Sequence, residues 1–379
     1  MAGDVIAKAP AIELIALAIV AVGLAARVGV GLANAYWLYL PHLDDFHHVA
    51  SFFSTGEITR DFGVSYAYAY VLGLVYGVTG PHEIVGYLGS ALAWTGAALA
   101  LDAMLRLLRA APHARVAALL IFALTPSSIY FGSVIMRDVY ELLFITLMML
   151  AALRIYVERD YDAAVPMVLA GAALSLLHKG LMPWSVIAAV SVLACVLAMH
   201  RERVAKQALV AVLVLAFSAF ATAMFMRFGY DLSEGVTAAV GSYRDNVEES
   251  TPRTLFQLLD QLAASGGLIG ILVGLVQYML EPVPWHVEGL GDLIVMVENA
   301  VRLVLIGMAV WAVIVDRQRR VPILLLLFVY CCLEGIWSLG TVAWGTAIRH
   351  HLTGSALLLV AAFASFRFEG RGSQRRVAS

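Results

Sequence analysis

Two adjacent acids, Asp44 and Asp45, close a long apolar stretch and stand within four residues of His42, His47 and His48. A carboxylate within hydrogen-bond reach of a hydroxyl can take its proton, and a second acid can orient the first or share a divalent cation through hard oxygen ligands. The same residues would also serve as a solvated turn, with Asp44 capping a helix from Asp45 through Phe53. Arg137-Asp138 follows Pro126-Ser127-Ser128 and opens an apolar run, with Glu141 one turn on and on the same face. Helix-end acids are favoured by the dipole, and an arginine there snorkels to the interface. An acid inside an apolar run, as Glu141 is, faces the bundle interior or a wet path.

Two further constellations carry cations. His178-Lys179 interrupts two apolar runs at a tight turn, where the lysine suits a lipid phosphate or is a plain turn cation. Arg349-His350-His351 joins a permanent cation to two imidazoles at a helix start, where the dipole disfavours positive charge, so a partner is expected. The guanidinium fork matches phosphate geometry. Tyr243 and Arg244 sit in the longest hydrophilic loop, 229–262, and Trp285 and His286 follow a Glu281-Pro282 break. Inside apolar runs, Glu298 and Arg302 are spaced to pair along one helix face, whereas Glu334 has no obvious local partner.

The elements that must position these groups are set by composition. The chain has 379 residues, 61% hydrophobic and 14% charged, with a mean hydropathy of +0.85. Soluble domains lie near about half apolar and about a quarter charged, so this is an all-α polytopic membrane protein. Long unalternating apolar runs exclude a barrel. Nucleic-acid binding has no support. The three cysteines, Cys195, Cys331 and Cys332, lie in apolar runs without metal-site or disulfide spacing.

Twelve apolar runs occur, near 11–40, 64–79, 84–105, 116–134, 139–157, 163–178, 181–199, 207–228, 264–280, 293–315, 321–340 and 351–366. The first is too long for a signal peptide and reads as an uncleaved anchor. Basic connections at 106–115, 154–159, 201–206 and 317–320, and the tail from Arg367, should share the cytoplasmic side. That holds only if 64–79 and 264–280 do not cross. About ten spans then remain, with two re-entrant or interfacial helices on the external face, and irregular backbone at depth implies a covered or wet cavity. Residues 1–366 form one transmembrane domain. It has an external loop at 41–83, a larger one with an interfacial segment at 229–292, and a short basic tail at 367–379 that reads as disordered. The candidate residues all fall on the external side.

The order of features in residues 11–160 resembles the membrane-embedded C-type glycosyltransferases (the GT-C fold). It has an acidic pair directly after the first span, an amphipathic external loop, a basic cytoplasmic turn, then Pro-Ser-Ser and Arg-Asp opening the next span. The nearest subgroup is the bacterial relatives of the dolichyl-phosphate-mannose–protein mannosyltransferases. The resemblance implies a polyprenyl-phosphate-linked sugar donor and a catalytic base at Asp44 or Asp45. It places the family's second acidic motif at Asp138. The chain departs from the pattern in carrying Asp-Asp where Asp-Glu is usual, and it has no extra C-terminal region. Its C-terminal half, with Pro282-Val283-Pro284-Trp285 and Gly345 to His350, is similar to exopolysaccharide-assembly membrane proteins.

The expectation is therefore a glycosyltransferase of the bacterial inner membrane, acting at the periplasmic or exterior face on a glycan, lipid or protein acceptor. Asp44, Asp45 and Asp138 are its candidate catalytic groups. The candidate substrate-binding residues are His47, His48, Arg137, Glu141, His178, Lys179, Tyr243, Arg244, Trp285, His286, Arg349, His350 and His351. No metal site is assigned, although a divalent cation at the acid pair stays open, and the chemistry calls for no redox cofactor. Membrane lipids are the other expected partners. The alternatives are a polysaccharide-repeat polymerase, a non-catalytic assembly subunit, and a transporter or flippase, which would bury charge at mid-depth and show internal repeats.

Overall fold

The computed structural model describes residues 3–38, 46–56, 67–199, 204–228, 255–256 and 267–366. All the regular elements among them are helices, and seven of these are long and apolar enough to cross a membrane. Helix α1 (Gly3–Ala33) runs on through a π-turn to Leu38. A short pair, α2 (Phe46–Ser54) and α3 (Ala67–Thr79), pack on each other. Next come α4 (Glu83–Leu107), α5 (Pro112–Leu124), α6 (Pro126–Phe131) and α7 (Asp138–Leu153). They are followed by α8 (Ala164–Leu177), α9 (Leu181–Met199) and α10 (Val204–Phe228). The last four are α11 (Gly267–Leu280), α12 (Leu290–Val315), α13 (Arg320–Gly340) and α14 (Trp344–Phe363).

The chain packs where its small residues lie. Gly86, Gly89 and Gly96 form a stripe on α4, and a Cβ on each would fall 2.7, 2.5 and 2.9 Å from Ile135, Tyr140 and Leu143. Such a stripe lets backbones approach where apolar surface gives no preference for protein over lipid. Helix α7 sits centrally, against α4, α8 and α14. Outward-facing Val78, Leu215 and Val304 are more than half exposed, a pattern suited to lipid cover.

The basic connections 106–115 and 317–320 meet at one end of the bundle. Arg115 bonds Asp102 (2.9 Å) and Glu13 (2.8 Å), and Arg106 joins both acids. Arg319 donates to the carbonyls of Ala364 and Arg109. This is called the basic end below, and the opposite one the far end.

Two expectations are corrected. The run 116–134 was read as one span, but Pro126 breaks it after α5, because the residue before a proline is pushed out of the helical region and the proline lacks an N–H. Glu298 and Arg302 do not form the expected pair: Glu298 accepts the Ser127 N–H at 2.8 Å and Arg302 donates to Asn299 at 2.6 Å. Glu334, without a local partner as expected, meets His351 from 17 positions away at 2.6 Å.

Candidate functional site

A helix turns by about 100° per residue, so consecutive side chains on α14 reach different neighbours. Arg349 Nε donates to Asp138 Oδ1 on α7 at 2.7 Å. His350 turns to the end of α13, stacking on Trp337 with centroids 4.1 Å apart. His351 faces α11 and α13, with Nδ1 2.6 Å from Glu334 Oε2 and Nε2 donating to the Tyr278 carbonyl at 3.1 Å. The sequence reading took residues 349–351 as one anion-binding motif. The helix divides it, leaving Arg349 and His350 in one cluster and His351 in another.

The first cluster gathers groups from four parts of the chain. Asp138 is 1% exposed and Glu141 is fully buried. Arg137 contacts Glu141 at 3.4 Å, and its guanidinium lies 5.6 Å from the ring of Phe46. His178 meets the other side of the sandwich edge-on, 4.8 Å from Trp337. Arg137, Lys179, Arg349 and His350 all lie close enough to His178 to act on it electrostatically, and Arg137 acts likewise on Lys179. Three cationic side chains thus share one neighbourhood with two carboxylates. Burial first, then these cations, hold the His178 imidazole well below its ordinary pKa. Burial and Arg137 lower the Lys179 ammonium.

Hydrogen bonds fix the tautomers of the two imidazoles. The Gly180 N–H donates to His178 Nδ1 at 2.9 Å, so neutral His178 carries its proton on Nε2. Thr341 uses its one hydroxyl proton on the Trp337 carbonyl at 2.7 Å. Its 2.8 Å contact with His350 Nδ1 therefore has the imidazole as donor, which makes Nε2 of neutral His350 a lone-pair acceptor. Trp337 is held by its own bond to Thr353, at 3.1 Å. One imidazole offers a proton and the other can receive one, on two sides of the same indole. Sequence reasoning missed Trp337 and Thr341, since an uncharged pair on an apolar helix carries no local signal.

Both clusters lie in one layer. Counting at 1.5 Å per residue from Leu153, Val315, Arg320 and Phe363 at the basic end, and on α1 from Glu13, which pairs with the arginines there, Asp138, Arg302, Glu334, Arg349 and Arg27 each stand about 20 Å up their helices. Arg27 is a structural group there, bonding Ser128 Oγ at 2.7 Å and lying 3.4 Å over the Trp94 ring, with its Nε unbonded among the described residues. The second cluster, His351 and Glu334 with Tyr278, Tyr330 and Arg302 nearby, borders a cavity of about 360 Å³.

The remaining candidates are placed apart. His47 on α2 bonds the Tyr76 hydroxyl at 2.9 Å, and His48 beside it is exposed. His286 stacks on Trp344 with centroids 6.3 Å apart and has Nδ1 3.8 Å from Glu281; Trp285 points outward. Asp44, Asp45, Tyr243 and Arg244 lie outside the described residues. Among the described residues no three His, Cys, Asp or Glu side chains stand together to hold a metal ion. No protein-family model matches this sequence, and no curated protein matches it either.

Proposed function

We propose that the protein is an integral-membrane glycosyltransferase, moving a sugar or glycan from a polyprenyl-phosphate-linked donor to an acceptor hydroxyl. The observation that carries this reading is the convergence of Arg137, Lys179, Arg349, His178 and His350 on one neighbourhood at the end away from the basic connections. Cations preorganised in a dry site stabilise the charge that develops on a departing phosphate. Phe46, the residue that follows the acid pair in sequence, stands beside Arg137.

In this reaction Asp44 or Asp45 takes the acceptor hydroxyl proton as the oxygen bonds to the anomeric carbon. The anomeric C–O bond to phosphate breaks on the opposite side, and its electron pair leaves with the phosphate, which Arg137, Lys179, Arg349 and His178 Nε2–H receive. Asp138 orients Arg349 through their 2.7 Å bond. In this arrangement ten helices cross. The seven long ones are joined by α8, α14 and the broken pair of α5 with α6, which crosses only as a pair, while α3 and α11 stay on the far side as non-crossing helices. The α11 placement draws on the Glu281 carbonyl meeting Asn299 at 2.7 Å, about 13 Å down α12 from Leu290. The positive-inside rule puts the basic end in the cytoplasm and the site at the exterior.

The test is Asp44→Asn and Asp45→Asn, singly and together, assayed in detergent with a polyprenyl-phosphate sugar. Loss of glycosyl product is expected, and full activity in all three variants sinks the reading. A second reading, a transporter or flippase for lipid-linked sugar, is favoured by Glu298, Glu334 and His351 buried inside helices. Translocation across vesicles with no new glycosidic bond would put it first.

A further inference from the structure

Helix α5 ends at Leu124 after 13 residues, about 20 Å of rise, well short of a hydrocarbon layer of about 30 Å. Its early end leaves a cavity on each side. One, about 360 Å³, is bordered by α5, α12 and α14; the other, about 310 Å³, lies between α5 and α1. Both are lined by Leu120 and Leu124, so these two leucines form a ridge between them. The α1 cavity is walled by apolar side chains alone, among them Ile19, Val22 and Ile129. The other is graded. Leu305, Leu358 and Leu359 line it toward the basic end, and Ser127, Glu298, Arg302 and His351 line it toward the far end.

The charges on α12 have an order. The helix runs from the far end toward the basic end, so Glu298 stands one turn, about 6 Å, farther out than Arg302. Arg302 donates one N–H to Asn299 and lies close enough to Glu298 and Glu334 to act on both electrostatically, while no other hydrogen bond from its guanidinium is seen among the described residues. A guanidinium within an apolar helix is costly unless its remaining donors are met. Glu298 is engaged by Ser127 through both the backbone N–H, on Oε1, and the side chain, and as a carboxylate it keeps further lone pairs to accept from a ligand.

We propose that the paired cavities hold one diacyl aminophospholipid of the phosphatidylethanolamine class. One acyl chain lies on each side of the Leu120–Leu124 ridge. The phosphate meets Arg302, and the ammonium reaches outward to Glu298. The protein's order of charges, acid outside and base inside, mirrors that of the headgroup, whose amine lies beyond its phosphate. A choline headgroup has no N–H to donate to Glu298, and a glycerol headgroup brings no cation. The polar surface also dips on this flank, because α5 stops and Thr125 to Ser128 stand at the level of Arg302. This binding site is independent of the sugar-transfer reading.

The test uses the full-length protein, stripped of lipid by detergent exchange. It is titrated with palmitoyl-oleoyl phosphatidylethanolamine, phosphatidylcholine or phosphatidylglycerol, and bound lipid is counted by native mass spectrometry. Phosphatidylethanolamine should be held about tenfold more tightly than phosphatidylcholine, the scale of one charge-assisted hydrogen bond. Glu298→Gln, which keeps an acceptor for Ser127, should erase that preference. Arg302→Gln should weaken phosphatidylethanolamine and phosphatidylglycerol alike. Leu124→Trp, a lipid-facing change that fills both cavities, should reduce retention of all three without altering the circular dichroism. Equal retention of the three lipids by the unaltered protein, or a preference that survives Glu298→Gln, would overturn the proposal.

Discussion

The pair most exposed to a decisive experiment is Asp138 with Arg349. Asp138 is almost fully buried, and its Oδ1 receives Arg349 Nε at 2.7 Å while Oδ2 has no hydrogen-bond partner among the described residues. Changing Asp138→Asn keeps the shape and removes the charge, leaving Arg349 among Arg137 and Lys179 with one carboxylate fewer. Breaking a buried pair costs about 3–5 kcal/mol, because the surviving ion is left uncompensated. The Arg349 side chain is 12% exposed, which places the expected loss near the lower figure, about 3 kcal/mol. Arg349→Gln should cost a similar amount. The double variant, which strands neither charge, should recover about 2 kcal/mol relative to the sum of the singles. Equilibrium unfolding in mixed detergent micelles would measure all three. Strictly additive losses would refute the coupling. Activity separates the roles further. Arg349→Gln removes a phosphate-stabilising cation and should lower kcat by roughly 10²–10³, while Asp138→Asn, which leaves that cation in place but less well aimed, should cost less. A deeper loss in Asp138→Asn would make Asp138 the proton acceptor and overturn its assignment as a positioning residue.

Two further outcomes follow from the same packing. His178 stays neutral in the fold, because burial and the surrounding cations hold its pKa well below the ordinary value. The unfolded chain takes up a proton near pH 6.5, so the stability contributed by neutral His178 is present above that pH. Below it, stability is lost at roughly 1 kcal/mol per pH unit. His178→Gln should flatten the stability profile between about pH 6.5 and 5, and an unchanged profile would contradict the assignment. Gly132→Ala would place a Cβ 2.7 Å from Arg27 Nε and 2.8 Å from the Ser128 carbonyl, where the arginine is already pinned over Trp94. A loss of about 1–3 kcal/mol is expected, read as a lower midpoint in thermal size-exclusion chromatography, and a midpoint like that of the unaltered protein would refute it.

Much of the architecture is legible in the sequence. Apolar runs about 20 residues long can be satisfied only as helices in lipid, so the class of fold follows from composition and spacing. The run 64–79 stood out as short, and it forms the 13-residue α3, which lies against α2. Less legible was the break in 116–134, although Pro126 was its visible cause. Within the site, the chemistry-bearing residue types at 137–138, 178–179 and 349–350 could be picked out one by one, because charge at the end of an apolar helix is conspicuous. Their company could not. Trp337 and Thr341 look like ordinary residues of an apolar helix, yet they set the orientation and tautomer of His350.

The sequence by itself determined that this chain is a helical membrane protein, which connections are basic, and which polar residues are costly enough in lipid to require partners. Those properties depend on residue type and on spacing along the chain. Tertiary structure alone decided who the partners are. Asp138 meets Arg349 across 211 positions, Glu334 meets His351, and Arg349-His350-His351 serves two clusters. A helix rotates each successive side chain by about 100°, so neighbours in sequence diverge, while helices packed side by side bring distant residues within bonding distance.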